Sequence, residues 1–280
     1  MTEISATMVK ELREATNVGM MECKKALVEA GGDRERAIVL LRERGLATAA
    51  KKSVRAANSG LLAARTADDG QTGVLVEVNC ETDFVARNEV FQAFVQTVLD
   101  RALTVKGDLG ESMKSETAAK IAEIGENLIV RRGLRFNAEG QGAVGVYIHL
   151  GSKVGVMIEV SCEKPETRRT EAFQTLIRDL TLHIAACSPG YLDRAAVPKS
   201  LLASEGEIFA KQVEGKPTNI VEKIVAGKIE KMYSQICLVE QGFVKDPDTR
   251  VDALVAATGK TLGDTLAIRR FVRWQLGESI

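Results

Sequence analysis

The sequence lacks the features that mark membrane, secreted and nucleic-acid-binding proteins. Lysine plus arginine and aspartate plus glutamate each number 38, so the 280-residue chain carries no net charge at neutral pH. Without a global positive field, binding of nucleic acid through phosphate contacts is disfavoured. The longest apolar runs, such as residues 154–158, are far shorter than a membrane span, and the first five residues show no signal-peptide pattern. We therefore expect no direct contact with nucleic acid or with a membrane.

Side chains that bind metals or act as nucleophiles are few and scattered. The chain has two histidines and five cysteines, with no CxxC pair. An odd, dispersed set of cysteines predicts reduced thiols and a cytoplasmic protein. A Cys80, His149 and Asp83 nucleophile set would make the protein a cysteine-dependent enzyme. However, Cys80 continues an apolar run and has a counterpart at Cys162, where no such partners recur, so a buried thiol is favoured. We expect no metal, no cofactor and no enzymatic chemistry.

One segment comes close to a phosphate-binding loop. Gly259, Lys260 and Thr261 match the end of the GxxxxGK[ST] motif. Leu254 stands where the first glycine is required, and residues 251–255 are predicted to form a helix instead of the strand that precedes such a loop. The sequence therefore disfavours nucleotide binding through this motif.

Hydrophobic spacing predicts three short helices within residues 1–56, the first proposed domain. Apolar residues recur at helical intervals over 6–15 and again over 20–30. Asp33 is a natural N-cap for the third helix, and Gly45 is predicted to end it. Residues 47–59, rich in alanine and basic residues, are predicted to form a basic helix or a linker.

The rest of the chain contains an internal repeat. Residues 74–81 (VLVEVNCE) align without a gap on residues 156–163 (VMIEVSCE), an offset of 82. Gly60 loosely resembles Gly145 at the start of each copy. We interpret the repeat as two copies of one α+β unit, each a small antiparallel sheet covered by helices. The copies span 57–140 and 141–193 plus 234–280.

The last strand of each copy is predicted by different signals. Residues 128–132 should form the third strand of the first copy. Residues 235–239 are predicted to supply the corresponding strand of the second copy, whereas residues 268–274 fit a strand or a helix. Residues 246–249 are predicted to form a turn.

A helical insertion interrupts the second copy at residues 194–233. Residues 199–213 and 220–233 are predicted helices, separated by the turn Gly215, Lys216 and Pro217. Two helices joined by a short turn form an antiparallel hairpin. Its apolar positions form only a narrow seam, so the hairpin is predicted to project from the body.

The two copies differ just after the matched strand. The first has ETDFVAR at residues 81–87, and the second has EKPETRR at residues 163–169. Because the flanking positions agree, Asp83 and Phe84 are not needed to make the fold. Phe84 is either a buried staple against the next helix or an exposed side chain that contacts a partner. Spacing alone favours the buried position, since most large apolar side chains are core residues.

Two long stretches resemble the signatures of the elongation factor Ts family. They are LREATNVGMMECKKAL at residues 12–27 and EVNCETDFVAR at residues 77–87. The likeness continues through residues 124–127, 147–149, 215–217 and 242–244, and so covers nearly the whole chain.

The resemblance implies a guanine-nucleotide exchange factor that acts by protein contact. Its partner would be elongation factor Tu, both GDP-bound and nucleotide-free, and the three-helix module would resemble a ubiquitin-associated domain. Thr82, Asp83, Phe84 and Val85 match the segment that displaces the partner's Mg²⁺, which implies an exposed Phe84. The other positions implied to contact the partner are Leu12, Met21, Cys23, Lys24, Ile124, Gly125, His149 and Val244.

Two further questions stay open at the level of sequence. One is self-association as a homodimer through the helical hairpin or the core. The other is an alternative function, a ubiquitin-like or peptide-binding adaptor that uses the three-helix module, in which Phe84 would be structural.

Overall fold

We describe the protein from a computed structural model, which defines residues 4–213, 215 and 217–279. It has an α+β fold in which helices pack on small antiparallel sheets, as predicted. Across these residues, no helix is both long and apolar enough to cross a membrane. Three predictions fall partly outside the described residues: the lack of a signal-peptide pattern at Met1, Thr2 and Glu3, the middle residue of the predicted hairpin turn, Lys216, and the end of the second copy at Ile280.

The N-terminal module consists of three helices. They are α1 (Ala6–Thr16), α2 (Met20–Glu29) and α3 (Arg34–Lys52). The side chains of Ser5 and Asp33 cap α1 and α3 by accepting hydrogen bonds from Met8 N and Arg36 N. A small separate core joins the helices; its most buried members are Leu12, Cys23, Ala26, Leu27 and Ala37.

The predicted end of α3 at Gly45 is wrong. The helix continues through Gly45 to Lys52, so the first part of residues 47–59, predicted as a basic helix or a linker, is helical. Gly45 is buried where α3 crosses α7 (Lys114–Ile124), with Ala122 Cβ 3.7 Å from the position that a Cβ would take. The glycine therefore lies at a close helix–helix contact, a role that the local sequence does not distinguish from a helix end.

The first sheet unit follows the module. Its elements are β1 (Ser59–Thr66), β2 (Thr72–Cys80), α4 (Asp83–Ala86), α5 (Glu89–Thr104), α6 (Leu109–Ser112), α7 and β3 (Leu128–Asn137). The strands lie in the order β1-β2-β3 and are antiparallel. Val74, Val76 and Val78 alternate along β2 and pack against Phe91 and Phe94 of α5. The core of this unit therefore lies between the sheet and its helices.

The second unit has the same plan as the first, with added elements. Its helices and strands follow one another in this order. They are β4 (Gly142–His149), β5 (Val154–Ser161), α8 (Glu171–Cys187), α9 (Lys199–Lys211), α10 (Thr218–Ile236), β6 (Gly242–Phe243), β7 (Asp246–Arg250), α11 (Val251–Leu262) and β8 (Ala267–Gln275). The main sheet has the antiparallel order β4-β5-β8, and β6 pairs with β7. Residues 246–249 therefore belong to a strand instead of the predicted turn.

The strand that closes the second sheet is β8, so the prediction for residues 235–239 is wrong. Those residues form the end of α10 and a short 3-10 turn, with a single bridge between Tyr191 and Cys237. β8 pairs with β5 from Ala267 to Gln275, which settles the predicted ambiguity of residues 268–274 in favour of a strand. Local hydrophobicity marks both segments equally, and only pairing with a strand more than a hundred residues away separates them.

The alignment of Gly60 with Gly145 is also corrected. Gly60 pairs with Asn79 and Gly142 pairs with Ser161, so Gly142 is the structural counterpart of Gly60, at the same offset of 82 (142 − 60). Both glycines have positive φ angles, 140° and 137°, and approach the neighbouring strand's backbone closely.

The two sheets pack against each other through the faces that their helices leave free. Leu75, Phe136, Val144 and Met157 form the apolar cluster between them. Gly73 and Gly155 allow the sheets to approach, because a Cβ at Gly155 would lie 2.6 Å from Leu75 Cδ1. This packing holds the two units as one body and determines where their loops lie.

α9 and α10 pack against each other and contain no buried residue. They are joined to the second unit near Arg194, whose guanidinium bonds to Glu230 and Glu240 and lies over the ring of Tyr233.

Candidate functional site

Phe84 is the most exposed aromatic side chain at the candidate site. It lies on α4, directly after β2, and 79% of its surface is accessible. The structure therefore decides against the buried staple that spacing alone favours and agrees with the exposure that the resemblance implies. A phenyl ring held in water gives no packing energy to its own chain and is available to a partner.

α4 is a single turn with one inward and one outward face. Thr82 is its N-cap, and the hydroxyl accepts a hydrogen bond from Val85 N at 3.3 Å. Ala86 is buried in the core of the first unit and Val85 packs partly against it. Because residues two positions apart on one turn point to different sides, burial of Ala86 leaves Phe84 facing solvent.

Asp83 and Arg87 form an exposed ion pair across this turn. Arg87 Nη2 lies 2.9 Å from Asp83 Oδ2, at helical i,i+4 spacing. Exposed pairs of this kind contribute only a few tenths of a kcal/mol. The pair therefore adds little to the stability of α4, and both charges stay available at the surface beside Phe84.

Ile124 and Gly125 lie at the foot of the same segment. Ile124 ends α7 and packs partly on the first core, and Gly125 is the exposed left-handed C-cap. The next residue, Glu126, accepts hydrogen bonds from the backbone of Glu81 and Thr82. The structure thus brings two adjacent predicted contact positions, which follow α4 by about forty residues in the sequence, to the base of that helix.

His149 is an exposed residue at the end of β4. Its Nδ1 lies 2.7 Å from the Tyr147 hydroxyl. The turn that follows, with positive φ at Leu150 and Ser152, borders the same cleft as Asp83 and Arg87. The structure therefore places His149 close to a cleft shared by the two sheet units, on the side where α4 lies.

The predicted contacts in the N-terminal module divide into exposed and buried residues. Met21 is 63% accessible and Lys24 is exposed, so both side chains can meet a partner. Leu12 and Cys23 have no accessible surface. Cys23 Sγ lies 3.4 Å from Val18 O and holds the loop between α1 and α2. Any part that Leu12 and Cys23 take in binding must act through the shape of the module.

Val244 is the predicted contact that lies apart from α4. It is an exposed residue of the turn between β6 and β7. Its backbone N–H donates to Nδ1 of the buried His183 at 3.1 Å, and the next residue, Lys245, forms an ion pair with Asp179 of α8. The turn is therefore tied to α8 of the second unit.

The Cys80 thiol is buried and unsuited to nucleophilic chemistry. It has no accessible surface, and Sγ donates to Thr82 O at 3.1 Å. Burial, with the nearby Glu126 carboxylate, raises the pKa of Cys80 to about 12. A thiol with so high a pKa is almost entirely protonated at neutral pH. The buried position that the repeat predicts is confirmed.

Potential metal ligands do not gather in the part of the chain that the structure covers. No group of three or more histidine, cysteine, aspartate or glutamate side chains is positioned to hold an ion there. The side chains exposed at the α4 surface are the Phe84 ring and the Asp83 and Arg87 charges.

Sequence reasoning missed Glu126, although a signal for it is present. Residues 125–136 (GENLIVRRGLRF) align with residues 263–274 (GDTLAIRRFVRW) at an offset of 138 (263 − 125). Gly125 and Gly263 both cap helices in the left-handed conformation, and the acid that follows each one binds the loop after β2 or β5. Because the earlier repeat has an offset of 82, a search at a single offset does not find this second half.

Comparisons with known proteins point to one family. The family described as Elongation factor TS matches residues 81–278. A protein from Trichlorobacter lovleyi named Elongation factor Ts is 45% identical, covering 99% of this chain and 94% of its own. Proteins of the same name from Nitratidesulfovibrio vulgaris and Chloroherpeton thalassium are each 42% identical and cover 98% and 99% of this chain, and 96% and 100% of their own lengths. These relatives also span the N-terminal module, which lies before the family match.

Proposed function

The chain belongs to the elongation factor Ts family, and on that premise we propose that it is a guanine-nucleotide exchange factor for elongation factor Tu. It binds the GDP complex of that partner, displaces Mg²⁺ and promotes release of GDP and its exchange for GTP during translation elongation. The observation that carries this proposal is the exposed Phe84 on a short, anchored helix in the segment Thr82–Val85.

The proposed mechanism is thermodynamic linkage. A factor that binds nucleotide-free elongation factor Tu more tightly than the GDP complex must weaken GDP binding by the same factor. A coupling free energy of about 3 kcal/mol corresponds to roughly a hundredfold loss of affinity. No bond is made or broken in this scheme, and GTP replaces GDP by mass action.

Phe84 is proposed to act on the partner's Mg²⁺. The ring inserts between side chains of elongation factor Tu and shifts the groups that hold the ion and the β-phosphate. Mg²⁺ balances much of the charge of a bound diphosphate, so its loss weakens GDP. His149, near the same cleft, is proposed to press on the phosphate-binding region of the partner.

The N-terminal module is proposed to resemble a ubiquitin-associated domain and to dock on the nucleotide-binding domain of the partner. Exposed Met20, Met21 and Lys24 on α2 supply a surface of apolar side chains beside a charge. We infer four domains, 1–56, 57–140, 141–193 plus 234–280, and the helical hairpin 194–233. Separate apolar clusters in the module and in each sheet unit support the first three divisions. Val244 is proposed as an additional contact, and self-association through the hairpin or the core stays a prediction.

The test is release of labelled GDP from elongation factor Tu in the presence of wild type, Phe84→Ala and a control, Ile208→Ala. We expect wild type to accelerate release and Phe84→Ala to lose roughly tenfold or more, the range of a central interface aromatic. Ile208 is an exposed apolar residue on α9, and its replacement should leave release unchanged. Because Phe84 is exposed, the thermal stability of Phe84→Ala should match that of wild type.

Repeating the assay without Mg²⁺ tests the proposed lever. If Phe84 acts by displacing the ion, chelation of Mg²⁺ by EDTA should reduce the difference in GDP-release rate between wild type and Phe84→Ala. A wild-type protein that does not accelerate release would sink the proposed function. If the difference in release rate between the two proteins is unchanged in EDTA, the exchange function would stand, but the proposed Mg²⁺ displacement by Phe84 would be wrong.

A further inference from the structure

The Glu126 carboxylate anchors the base of the exposed helix α4 by hydrogen bonds. Oε2 accepts hydrogen bonds from Glu81 N at 3.1 Å and from Thr82 N at 3.0 Å. Oε1 accepts from the Thr82 hydroxyl at 2.7 Å, and that hydroxyl in turn accepts from Val85 N. One carboxylate therefore holds the two residues that precede α4 and, through Thr82, the N-cap of the helix itself.

The segment that carries Glu126 is also bonded to the end of the N-terminal module. Asn127 Nδ2 donates to Arg55 O at 2.8 Å, and Lys52 donates to the carbonyl of Gly125. Asn127 N donates to Glu81 Oε1 at 2.6 Å. The base of α4 and the end of α3 thus share a single hydrogen-bonded segment, which relates the direction of α4 to that of the module.

In the second sheet unit a carboxylate also anchors the corresponding loop, but that loop has no exposed ring. Asp264 accepts hydrogen bonds from Glu163 N and Lys164 N, each at 3.1 Å. Burial acts to raise the pKa of Asp264, but hydrogen bonds from the Thr167 side chain and from backbone amides, including these two, hold it below its ordinary value. No aromatic residue occurs in the loop at residues 163–169. The carboxylate anchor is therefore part of the repeated scaffold, and only in the first unit does the anchored loop carry an aromatic residue, Phe84.

We propose that Glu126 is a positioning residue for Phe84, an inference that rests on the proposed exchange function. A helix of four residues does not hold its own direction, because its single turn has few internal hydrogen bonds. Charge-assisted hydrogen bonds from a fixed carboxylate supply that direction before the partner arrives. An aromatic lever that is ordered in advance loses less conformational entropy when it inserts.

The matched variants are Glu126→Gln and Asp264→Asn, assayed by GDP release over a range of factor concentrations. Glu126→Gln removes the negative charge, so the bonds from Glu81 N and Thr82 N to the remaining amide oxygen lose their charge assistance. The NH2 group that replaces the second oxygen cannot accept from the Thr82 hydroxyl, so that bond is lost in its present direction. We expect the maximal release rate to fall about tenfold and the half-saturating concentration to change far less, since the module still docks. Asp264→Asn should keep both values within about twofold.

A double variant separates positioning from general loosening of the fold. If Glu126 acts through Phe84, then Glu126→Gln combined with Phe84→Ala should be no slower than Phe84→Ala alone. If Glu126→Gln does not fold, Thr82→Val takes its place and should give an intermediate loss, because it removes the hydroxyl bond to Glu126 together with the N-cap bond from Val85 N. Hydrogen exchange at Thr82 and Val85 should rise in Glu126→Gln and not in Asp264→Asn.

The outcomes distinguish this inference from the function on which it rests. Full additivity in the double variant, equal losses in Glu126→Gln and Asp264→Asn, or unchanged release in both Glu126→Gln and Thr82→Val would each overturn the positioning role. In all three cases wild type would still accelerate GDP release from elongation factor Tu, and Phe84→Ala would still be impaired. Failure of wild type itself would count against the proposed function.

Discussion

His183 is a buried imidazole with hydrogen-bond partners on both ring nitrogens. Nδ1 accepts from Val244 N, so the proton lies on Nε2, which donates to Gln241 Oε1 at 3.0 Å. Burial lowers the pKa of His183, although the bond to Gln241 opposes this shift. The charged groups on the facing elements, Asp179 and Lys245, are paired with each other. A protonated ring would set an N–H against Val244 N–H and loosen the turn between β6 and β7.

This arrangement predicts a pH-dependent stability with a defined sign. The unfolded chain protonates His183 near pH 6.5, whereas the folded chain keeps the ring neutral to lower pH. Below about pH 6.5 the unfolded state therefore binds more protons, and the free energy of unfolding falls as the pH drops. The network should contribute about 1–3 kcal/mol above this pH and less below it.

Denaturant unfolding of wild type and His183→Gln at pH 7.5 and 5.5 measures the effect. The difference in unfolding free energy between the two proteins should be larger at pH 7.5. A constant difference between wild type and His183→Gln at both pH values would contradict the assignment.

At the scale of elements, two glycines show opposite demands of packing. Gly45 lies inside α3, where an added Cβ would meet Ala122 Cβ at 3.7 Å, an ordinary van der Waals distance. Gly60 lies in β1 with φ at 140°, and an added Cβ would overlap the Val78 carbonyl oxygen. The helix can therefore accept alanine, whereas the strand cannot without moving its backbone.

Alanine substitutions at the two glycines should shift stability in opposite directions. Gly45→Ala should raise the free energy of unfolding by about 0.5–1 kcal/mol, because alanine loses less backbone entropy in a helix. That gain corresponds to about 1–4 °C in Tm. Gly60→Ala should lower the free energy of unfolding by about 1–3 kcal/mol through backbone strain. Thermal melts check both values, and a destabilised Gly45→Ala would mean that α3 and α7 pack too closely for a methyl group.

At the scale of the whole molecule, two sister units enclose a large insertion. The offset between them is 82 at Gly60 and Gly142 and 138 at Gly125 and Gly263, so the second unit contains 56 additional residues (138 − 82).

A buried glutamate recurs on the central strand of each unit. Glu77 is held by Arg131 and Arg132, and Glu159 by Arg270. Burial alone would raise the pKa of Glu77, but hydrogen bonds from Gly277 N and the two arginines keep it below its ordinary value.

Shortening the insertion should leave the body stable. We expect replacement of residues 203–228 by a short Gly-Ser linker to change Tm by no more than about 2 °C, because α9 and α10 contribute no buried residue. Leu238→Ala, at a fully buried position beside the insertion, should instead cost about 2–5 kcal/mol. A large loss of stability in the shortened chain would show that the hairpin supports the core. The proposed exchange activity should be retained.

Local sequence alone predicted most elements and one half of the repeat. Helical spacing identified the three helices of the module and the helices on each sheet, because side-chain periodicity records which face of an element is buried. The matched strands, β2 and β5, were found from residues 74–81 and 156–163 at a single offset. The family was indicated by residues 12–27 and 77–87 and confirmed by its relatives.

Tertiary structure decided which faces meet and which side chains remain outside. Gly45 marks a helix crossing instead of a helix end, β8 closes the second sheet, and Leu12 and Cys23 are buried in the module. Phe84 is exposed because Ala86 takes the inward side of α4, and Glu126 anchors that turn from a segment more than forty residues away. Spacing along a chain specifies local periodicity, but contacts between distant segments depend on how those segments fold together, and this fold set the geometry of the candidate site.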